Sequence, residues 1–430
     1  MRILLLSFLN PAIVPGGEQQ IAYEMFRAAW ECGHDVWLLS GMGPGPQFAE
    51  RFGRPGAPIT PLADAERQYL YFPKFYDWRN FSVGDWRSNE YLREFIAKLN
   101  PEVIHFHHYH WLGVEAIRVA RLAAPKAVIG MTFHEMLAIC MADGQMVTRT
   151  DASLCERAEP MNCSHCFPEV RPEFFDLRAS RLKYFLSGCD VFVFPTNFMK
   201  QRYLDWGLPA EKCVTIPNGQ KGVGDAAIRT VHSPKFNRFG YFGQFLTNKG
   251  VDILFNAILM LARNEAIPPN GIVVELNGCN ADWAAPAYIE KLKSLLDEIR
   301  VYHPAVEVVD RGPYPHASLG NRMASCDWVV VPSTWWENFT SVVSEAWMCG
   351  RPVIVSDIGG LAERVTNGVN GMTFPVKDPV ALGSLILKLT ENSALWHKLN
   401  GSITPPNTDH EMLSRHVAEW RTILDRREAA

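Results

Sequence analysis

A rhythm that runs twice constrains this chain more than any single motif. Short apolar runs alternate with longer amphipathic segments. Ile3–Phe8, Asp35–Leu39, Val103–Phe106, Ala127–Thr132 and Val191–Pro195 read as strands, with helical stretches such as Glu18–Cys32 and His110–Leu122 between them. Strands separated by helices predict parallel pairing in a doubly wound α/β sheet. The rhythm breaks near Asn218-Gly219-Gln220, where KGVGDAAIRTVHSPKFN follows neither period. It restarts with Arg238–Phe242, Ile272–Leu276, Val306–Val309, Trp328–Val331 and Val353–Val355 as strands. Val251–Ala262 and Pro286–Ile299 are the helices among them, the second opening on a proline as a first turn allows. The sequence therefore predicts two similar α/β domains, 1–217 and 237–405, joined by a linker over 218–236. The first carries a cysteine-bearing insertion at about 137–170. The closing segment, 406–430, is amphipathic over His410–Arg426 and is expected to pack back on the first domain. A chain of 430 residues suits two cores better than one.

A formal charge of −4 gives no reason to expect nucleic acid as a partner. No window approaches the roughly 18 uninterrupted apolar residues of a membrane span. The opening MRILLLSFLNPAIVPGG has a short apolar run, no small-residue cleavage site, and Pro and Gly-Gly behind it. It reads as a buried strand rather than a leader. Ten cysteines without a leader point to reduced thiols in the cytoplasm.

The stretch 332–360, PSTWWENFTSVVSEAWMCGRPVIVSDIGG, sets Glu337 and Glu345 eight positions apart around the start of a helix. Thr340 or Ser341 is the expected N-cap, with Val342, Val343, Ala346 and Trp347 as the buried face. Amides near 338–342 then point outward from a positive helix end, which suits a phosphate or diphosphate. A carboxylate there would repel that phosphate, so the two acids are better used on neutral hydroxyls, a ribose on one side and a sugar on the other. The plainer alternative is a loop acid and a solvated helix position. Against it, Glu345 sits in a strongly apolar helix.

These residues resemble the signature of the retaining glycosyltransferases of the two-Rossmann type, family 4: a glutamate, seven residues, and a second glutamate. Glu337-Asn338-Phe339 matches the subset reading Glu-Asn-Phe. The likeness extends to the Gly16-Gly17 loop, VIHFHH at 103–108, TFHE at 132–135, IPNG at 216–219, FGQFLTNKGVD at 242–252 and NGVNG at 367–371. It implies two facing Rossmann-like domains with a cleft between them (GT-B architecture). A nucleotide diphosphate sugar, UDP- or GDP-linked, would be held mainly by the C-terminal domain. A glycan, polysaccharide or lipid-linked acceptor would be held by the N-terminal one. It implies transfer with retention, the leaving phosphate helping to deprotonate the acceptor. No cofactor would be required for catalysis.

The catalytic set expected on these grounds is Glu337, His134 and Lys249. Glu337 would hold the donor sugar. His134, after a strand's end, would bond a sugar or acceptor hydroxyl. Lys249 would offset charge on the diphosphate as it leaves. The expected donor-binding set is Gly16, Gly17, Gly243, Gln244, Lys249, Tyr314, Asn338, Phe339, Thr340, Ser341 and Glu345. Gln244 stands where the family often has an arginine, so the phosphate clamp falls more on Lys249 and helix-end amides. Tyr314 belongs to the loop whose backbone reads the base. The alternatives are a plain turn at Gly16-Gly17 and a solvated lysine at 249. The residues offer no independent carboxylate nucleophile for double displacement. A catalytically inactive nucleotide-sugar-binding subunit and a sugar phosphorylase on the same fold are the competing readings.

Cys140, Cys155, Cys163 and Cys166 cluster in the irregular insertion, the last two spaced Cys-x-x-Cys. Four thiolates satisfy a tetrahedral structural zinc, with His165 able to replace one and unligated thiols as the alternative. Histidines alternate along 105–110 and point to opposite faces, which disfavours a metal there. Two stretches rich in aromatics and arginine, 67–87 and 172–186, suit anionic lipid headgroups at the inner face of a membrane or a platform for sugar rings. The alternative is ordinary helix and loop covering the core.

Overall fold

The computed structural model describes residues 1–43, 46–53, 56–222, 235–279, 284–302 and 304–429. The predicted linker falls mostly at 223–234, outside them. The chain divides into two compact units, Met1–Lys221 with Asn407–Ala430, and Gly222–Pro406.

The first unit is one sheet of eight strands: β1 (Arg2–Phe8), β2 (Asp35–Gly41), β3 (Ile59–Pro61), β4 (Gln68–Tyr71), β5 (Val103–Phe106), β6 (Val128–Thr132), β7 (Val191–Phe194) and β8 (Cys213–Thr215). Their order is β3-β4-β2-β1-β5-β6-β7-β8, and β3 alone runs antiparallel to its neighbour. Ile3 to Leu6 are fully buried, as a parallel strand covered on both faces requires. The helix Gly17–Glu31 lays Ile21, Ala22, Met25, Ala28 and Ala29 on the sheet at helical spacing. The sequence started the next helix at His110, but the structure starts it at Ala116. Trp111 and Gly113 have φ of +61° and +85°, which a right-handed helix does not admit, and the Val114 amide donates instead to the Phe81 carbonyl at 2.7 Å.

Within 172–186 the structure forms the helix Pro172–Leu186, and Arg178 turns inward. Its guanidinium donates to the carbonyls of Arg79, Ala138 and Leu137 at 2.7, 2.8 and 2.7 Å, while Leu177 and Tyr184 face outward. The last helix, Asp409–Glu428, starts on a capping box between Thr408 and Glu411. It buries Met412, Leu413, His416 and Trp420 against Gly17–Glu31 and β6. Asp409 is ion-paired with Arg27.

The second unit is a fully parallel sheet of six strands: β9 (Arg238–Gln244), β10 (Ile272–Cys279), β11 (Val306–Asp310), β12 (Trp328–Val331), β13 (Val353–Ser356) and β14 (Gly371–Phe374), ordered β11-β10-β9-β12-β13-β14. Phe239, Leu254, Ile258, Trp328 and Ile354 sit at the centre of its core. Chain order reverses about β1 in the first sheet and about β9 in the second. Among the described residues no helix is long and apolar enough to cross a membrane.

Trp420 is fully buried. Trp420→Ala should destabilise the first unit by about 3–5 kcal/mol. Native-state hydrogen exchange should show that loss in β1 and β5 with protection in β9 and β12 unchanged. Unchanged protection in β1 and β5 would count against the helix as part of that unit's core.

Candidate functional site

At the reversal in the second sheet, β9 and β12 are neighbours, with Phe239 opposite Trp328. A reversal leaves a crevice beyond the carboxyl ends of the two strands. Here the loops 243–250 and 332–340 leave those ends together, and the Thr334 amide donates to the Asn248 carbonyl at 2.9 Å. Gly250 has φ of +71°, and a Cβ there would overlap the Pro332 carbonyl oxygen. Only glycine allows both the conformation and the approach. On the other side, a Cβ at Gly360 would overlap the Asn338 carbonyl, and the Gly360 amide donates to the Glu337 carbonyl at 2.7 Å. Loop 332–340 is thus held between two glycine-bearing backbones.

That clamp brings Lys249 to Glu337. Glu337 Oε1 accepts from Lys249 Nζ, Ser333 Oγ and Trp335 Nε1, each at 2.7 Å, and Oε2 accepts from Thr340 Oγ1 at 3.0 Å. The ammonium also lies 4.9 Å from the Trp335 ring centroid. Burial alone pushes this carboxyl up, but the Lys249 charge and the bonds from Lys249, Ser333 and Trp335 outweigh it and hold it below its ordinary value. The sequence reading left Glu337 open to ligand hydroxyls. In the structure its Oε1 is committed to protein donors, and the acceptor capacity that is left lies on Oε2.

Thr340 occupies the N-cap position of the helix Ser341–Met348, yet its side chain bonds Glu337 and does not cap the helix. Its backbone is left-handed, with φ of +51°. A β-branched residue there costs about 1–3 kcal/mol. Arg364 holds the turn. Its Nη1 donates to the carbonyls of Phe339 and, at 3.0 Å, Thr340, while Nη2 donates to Ser344 Oγ at 2.6 Å. The guanidinium lies 3.7 Å from the Phe339 ring centroid, and burial pushes Arg364 down to about 9. Sequence reasoning missed this residue; its one signal was a cation closing the short helix Gly359–Arg364 that opens on Gly-Gly.

Glu345 is half-buried one turn into the helix, and Asn338 is half-buried with its carbonyl against Gly360. Gly243 has φ of +155°, and the next carbonyl, that of Gln244, accepts from Tyr241 Oη at 2.5 Å. Tyr314, beyond β11, packs its ring edge on Phe242, and Arg322 stacks on its face. Lys249, Glu337, Thr340 and the helix head therefore come together, with Gly243, Gln244 and Tyr314 at the ends of β9 and β11.

Gly16, Gly17 and His134 belong to the first unit. Gly16 is extended and meets the folded side chain of Gln19, while a Cβ on Gly17 would meet nothing within 4 Å. His134 Nε2 lies 3.0 Å from His107 Nδ1 with the rings stacked, and burial with the neighbouring imidazoles holds His134 down to about 3, so it is neutral. Beside them the His110 amide donates to His108 Nδ1 at 2.8 Å, which leaves the ring proton on Nε2, 3.1 Å from Glu135. Glu18, which the sequence did not single out, is pushed by burial up to about 8 despite nearby His108. Cys140, Cys155, Cys163 and Cys166 line one small cavity, and His165 lines a neighbouring surface hollow. Among the described residues no group of three or more His, Cys, Asp or Glu is arranged to hold a metal.

The family described as Glycosyltransferase Family 4 matches residues 15–220, and Glycosyl transferases group 1 matches residues 237–392. Glycogen synthase of Mycobacterium tuberculosis is 23% identical over 412 residues, 92% of this chain and 87% of that protein. An uncharacterized glycosyltransferase of Methanocaldococcus jannaschii is 27% identical over 214 residues, 50% of this chain, which spans only 53% of that protein. Among solved structures, Anabaena HepE in complex with UDP and glucose superposes with a TM-score of 0.64 at 16% identity, covering 98% of this chain and 99% of that one. The catalytic domain of Starch Synthase IV from Arabidopsis thaliana, bound to ADP and acarbose, gives 0.62 at 13% identity, covering 99% of both chains. At these identities the structures show a shared fold.

Removing Lys249 leaves a buried carboxylate unpaired. Lys249→Met should cost the second unit about 3 kcal/mol, and adding Glu337→Gln should recover more than half of it in urea unfolding. The sign with pH follows from the depressed Glu337. The wild-type contribution is present at neutral pH and is lost as pH falls through its folded value, below 4.5. In Lys249→Met burial raises that value, so acid relieves the variant. The gap between the two proteins should narrow from neutral pH towards 4.5, and a gap that widens would contradict the pairing.

Proposed function

Because the chain belongs to the group 1 glycosyltransferases, we propose that it moves a hexose from a UDP- or GDP-linked sugar to a glycan, polysaccharide or lipid-linked acceptor, with retention at the anomeric carbon. The observation that carries this reading is the Lys249–Glu337 pair beside the head of the helix Ser341–Met348, at the reversal between β9 and β12. The diphosphate docks at that helix head, where backbone amides and the helix dipole favour an anion. Lys249 has three donors, and those not given to Glu337 offset the charge that grows on the leaving phosphate. Glu337 Oε2 accepts one hydroxyl of the transferred sugar, and Glu345 accepts from the ribose. Gly243 admits the donor close to the backbone, and the Tyr314 loop contacts the base.

The solved neighbours support a nucleotide sugar as donor, since HepE structures hold UDP and UDP-glucose. The leaving phosphate takes the acceptor proton. In the first unit, neutral His134 with Glu135, His108 and Glu18 offers donors and acceptors suited to a hydroxyl-rich acceptor. Reduced thiols fit a cytoplasmic enzyme, and exposed Trp78 and Trp86 fit a peripheral contact with the inner membrane face.

Thermal denaturation with UDP, GDP and ADP tests donor binding. The matching nucleotide at a hundred times its Kd should add about 2.7 kcal/mol of stability. With the sugar donor so identified, Lys249→Ala should lower kcat by about 10²–10³-fold, and NMR of the early product should show the donor's anomeric configuration. Sugar phosphate released with inorganic phosphate and no nucleotide would replace the reading with a phosphorylase. Wild-type turnover by Lys249→Ala would remove the lysine from the mechanism.

A further inference from the structure

The excursion between β6 and the helix Pro172–Leu186 is anchored at its start, where Arg178 bonds the Leu137 and Ala138 carbonyls, but has little regular structure beyond that. It contains one seven-residue helix, Pro160–Cys166, and one isolated bridge, Val147 to Leu154. Its own apolar cluster has three buried members, Met141, Phe167 and Val170. Asp143, Met146 and Ala152 are non-glycine residues at φ near +50°. Each such residue costs about 1–3 kcal/mol and persists only where surroundings enforce it. A loop of this length with so small a core calls for another constraint.

The four cysteines supply one. They lie 15, 8 and 3 positions apart in the chain, yet all of them line the same cavity of about 50 Å³. Cys163 and Cys166 are three apart on the helix Pro160–Cys166, which puts both sulfurs on one face of it. The other walls are mostly apolar, with Met141, Met146, Phe167 and Phe175 among them; Thr148 and Asn162 are the polar members, and there is no carboxylate or ammonium. A hard cation finds no carboxylate there and an anion no charged donor, whereas a soft cation meets four cysteines. The Arg149 amide donates to Cys166 Sγ at 3.4 Å, the outer bond that steadies a metal-bound thiolate.

We propose that Cys140, Cys155, Cys163 and Cys166 together bind one zinc ion that clasps this excursion. The sulfurs are gathered but not drawn together. Cys140 Sγ turns to the Ala142 carbonyl at 3.9 Å and Cys155 Sγ to the Arg157 carbonyl at 3.0 Å. Closing on the ion takes rotation of cysteine side chains between staggered positions, on residues that are all half-buried. The four-sulfur shell leaves no open position, so the role is structural and independent of sugar transfer.

The full chain, purified without chelator, should contain one zinc per molecule by elemental mass spectrometry. A mercurial thiol reagent should release it. Cys32→Ser, outside the cluster, should keep the zinc. The double variant Cys163→Ser and Cys166→Ser should lose it. If that variant does not fold, protein grown with cobalt decides, because four thiolates around Co²⁺ give intense visible bands and a sulfur-to-metal transition. Chain that purifies without metal and takes up neither zinc nor cobalt when they are added would overturn the proposal. So would intact-protein mass showing these cysteines joined as disulfides.

Discussion

A carboxylate buried at the end of a strand forces its surroundings to answer it, and much of the second unit's crevice is that answer. Glu337 is 5% exposed and accepts four side-chain hydrogen bonds, from three residues of its own loop and one residue 88 positions earlier. Ion pairs of this kind add little net stability, because desolvation consumes most of the attraction. Their value lies in position. With Lys249 on one loop and Glu337 on the other, any register that separates the loops strands a charge in low dielectric. The glycines at 250 and 360 complete the constraint, since each lets a backbone approach that a side chain would block. What results is a fixed distance between a lysine and a helix head.

The two units prepare polar strand ends by different means. In the second, opposite charges compensate each other. In the first, several buried groups near β5 and β6 are neutral, while at His108 the carboxyls of Glu18 and Glu135 outweigh burial and push the imidazole up. His105, His107 and His134 are all held below their ordinary values, mainly by burial, and Glu18 is held above its own. Neutral imidazoles offer one donor and one acceptor each, which matches a hydroxyl group and gives a phosphate no net charge to seek.

Periodicity made the central strands legible, because a parallel strand covered on both faces must be apolar throughout. Short or polar strands carried no such mark: Ile59–Pro61, Gln68–Tyr71, Cys213–Thr215 and Gly371–Phe374 have three or four residues each and take their pairing from neighbours. The helix that began at Ala116 rather than His110 shows the same limit, since the left-handed turn at Trp111 answers to contacts with residues near 81. In the candidate site, the sequence marked which residues gather but not which way they face. No local pattern reports that Thr340 turns from capping to Glu337, or that Arg364 reaches back 25 residues to the Phe339 carbonyl. Such arrangements are fixed by the strand reversal between β9 and β12, which becomes visible only once the sheet is ordered.

The charge balance of the crevice follows from these facts. Gln244 adds no charge, and Lys249 is matched by Glu337, so the pair at rest is close to neutral. In the proposed reaction a neutral pair contributes little to ground-state binding of the diphosphate, and the anchoring rests on amides at the helix head. As the bond to the sugar breaks in that reaction, charge concentrates on the departing phosphate, and its attraction to the ammonium proposed beside it grows. An interaction that strengthens along the reaction lowers the barrier, whereas one made equally in the ground state only tightens binding. In the proposed reaction Glu337 thus does more by holding Lys249 still than a second free cation would do by adding charge, because the lysine needs no reorganisation when the charge arrives.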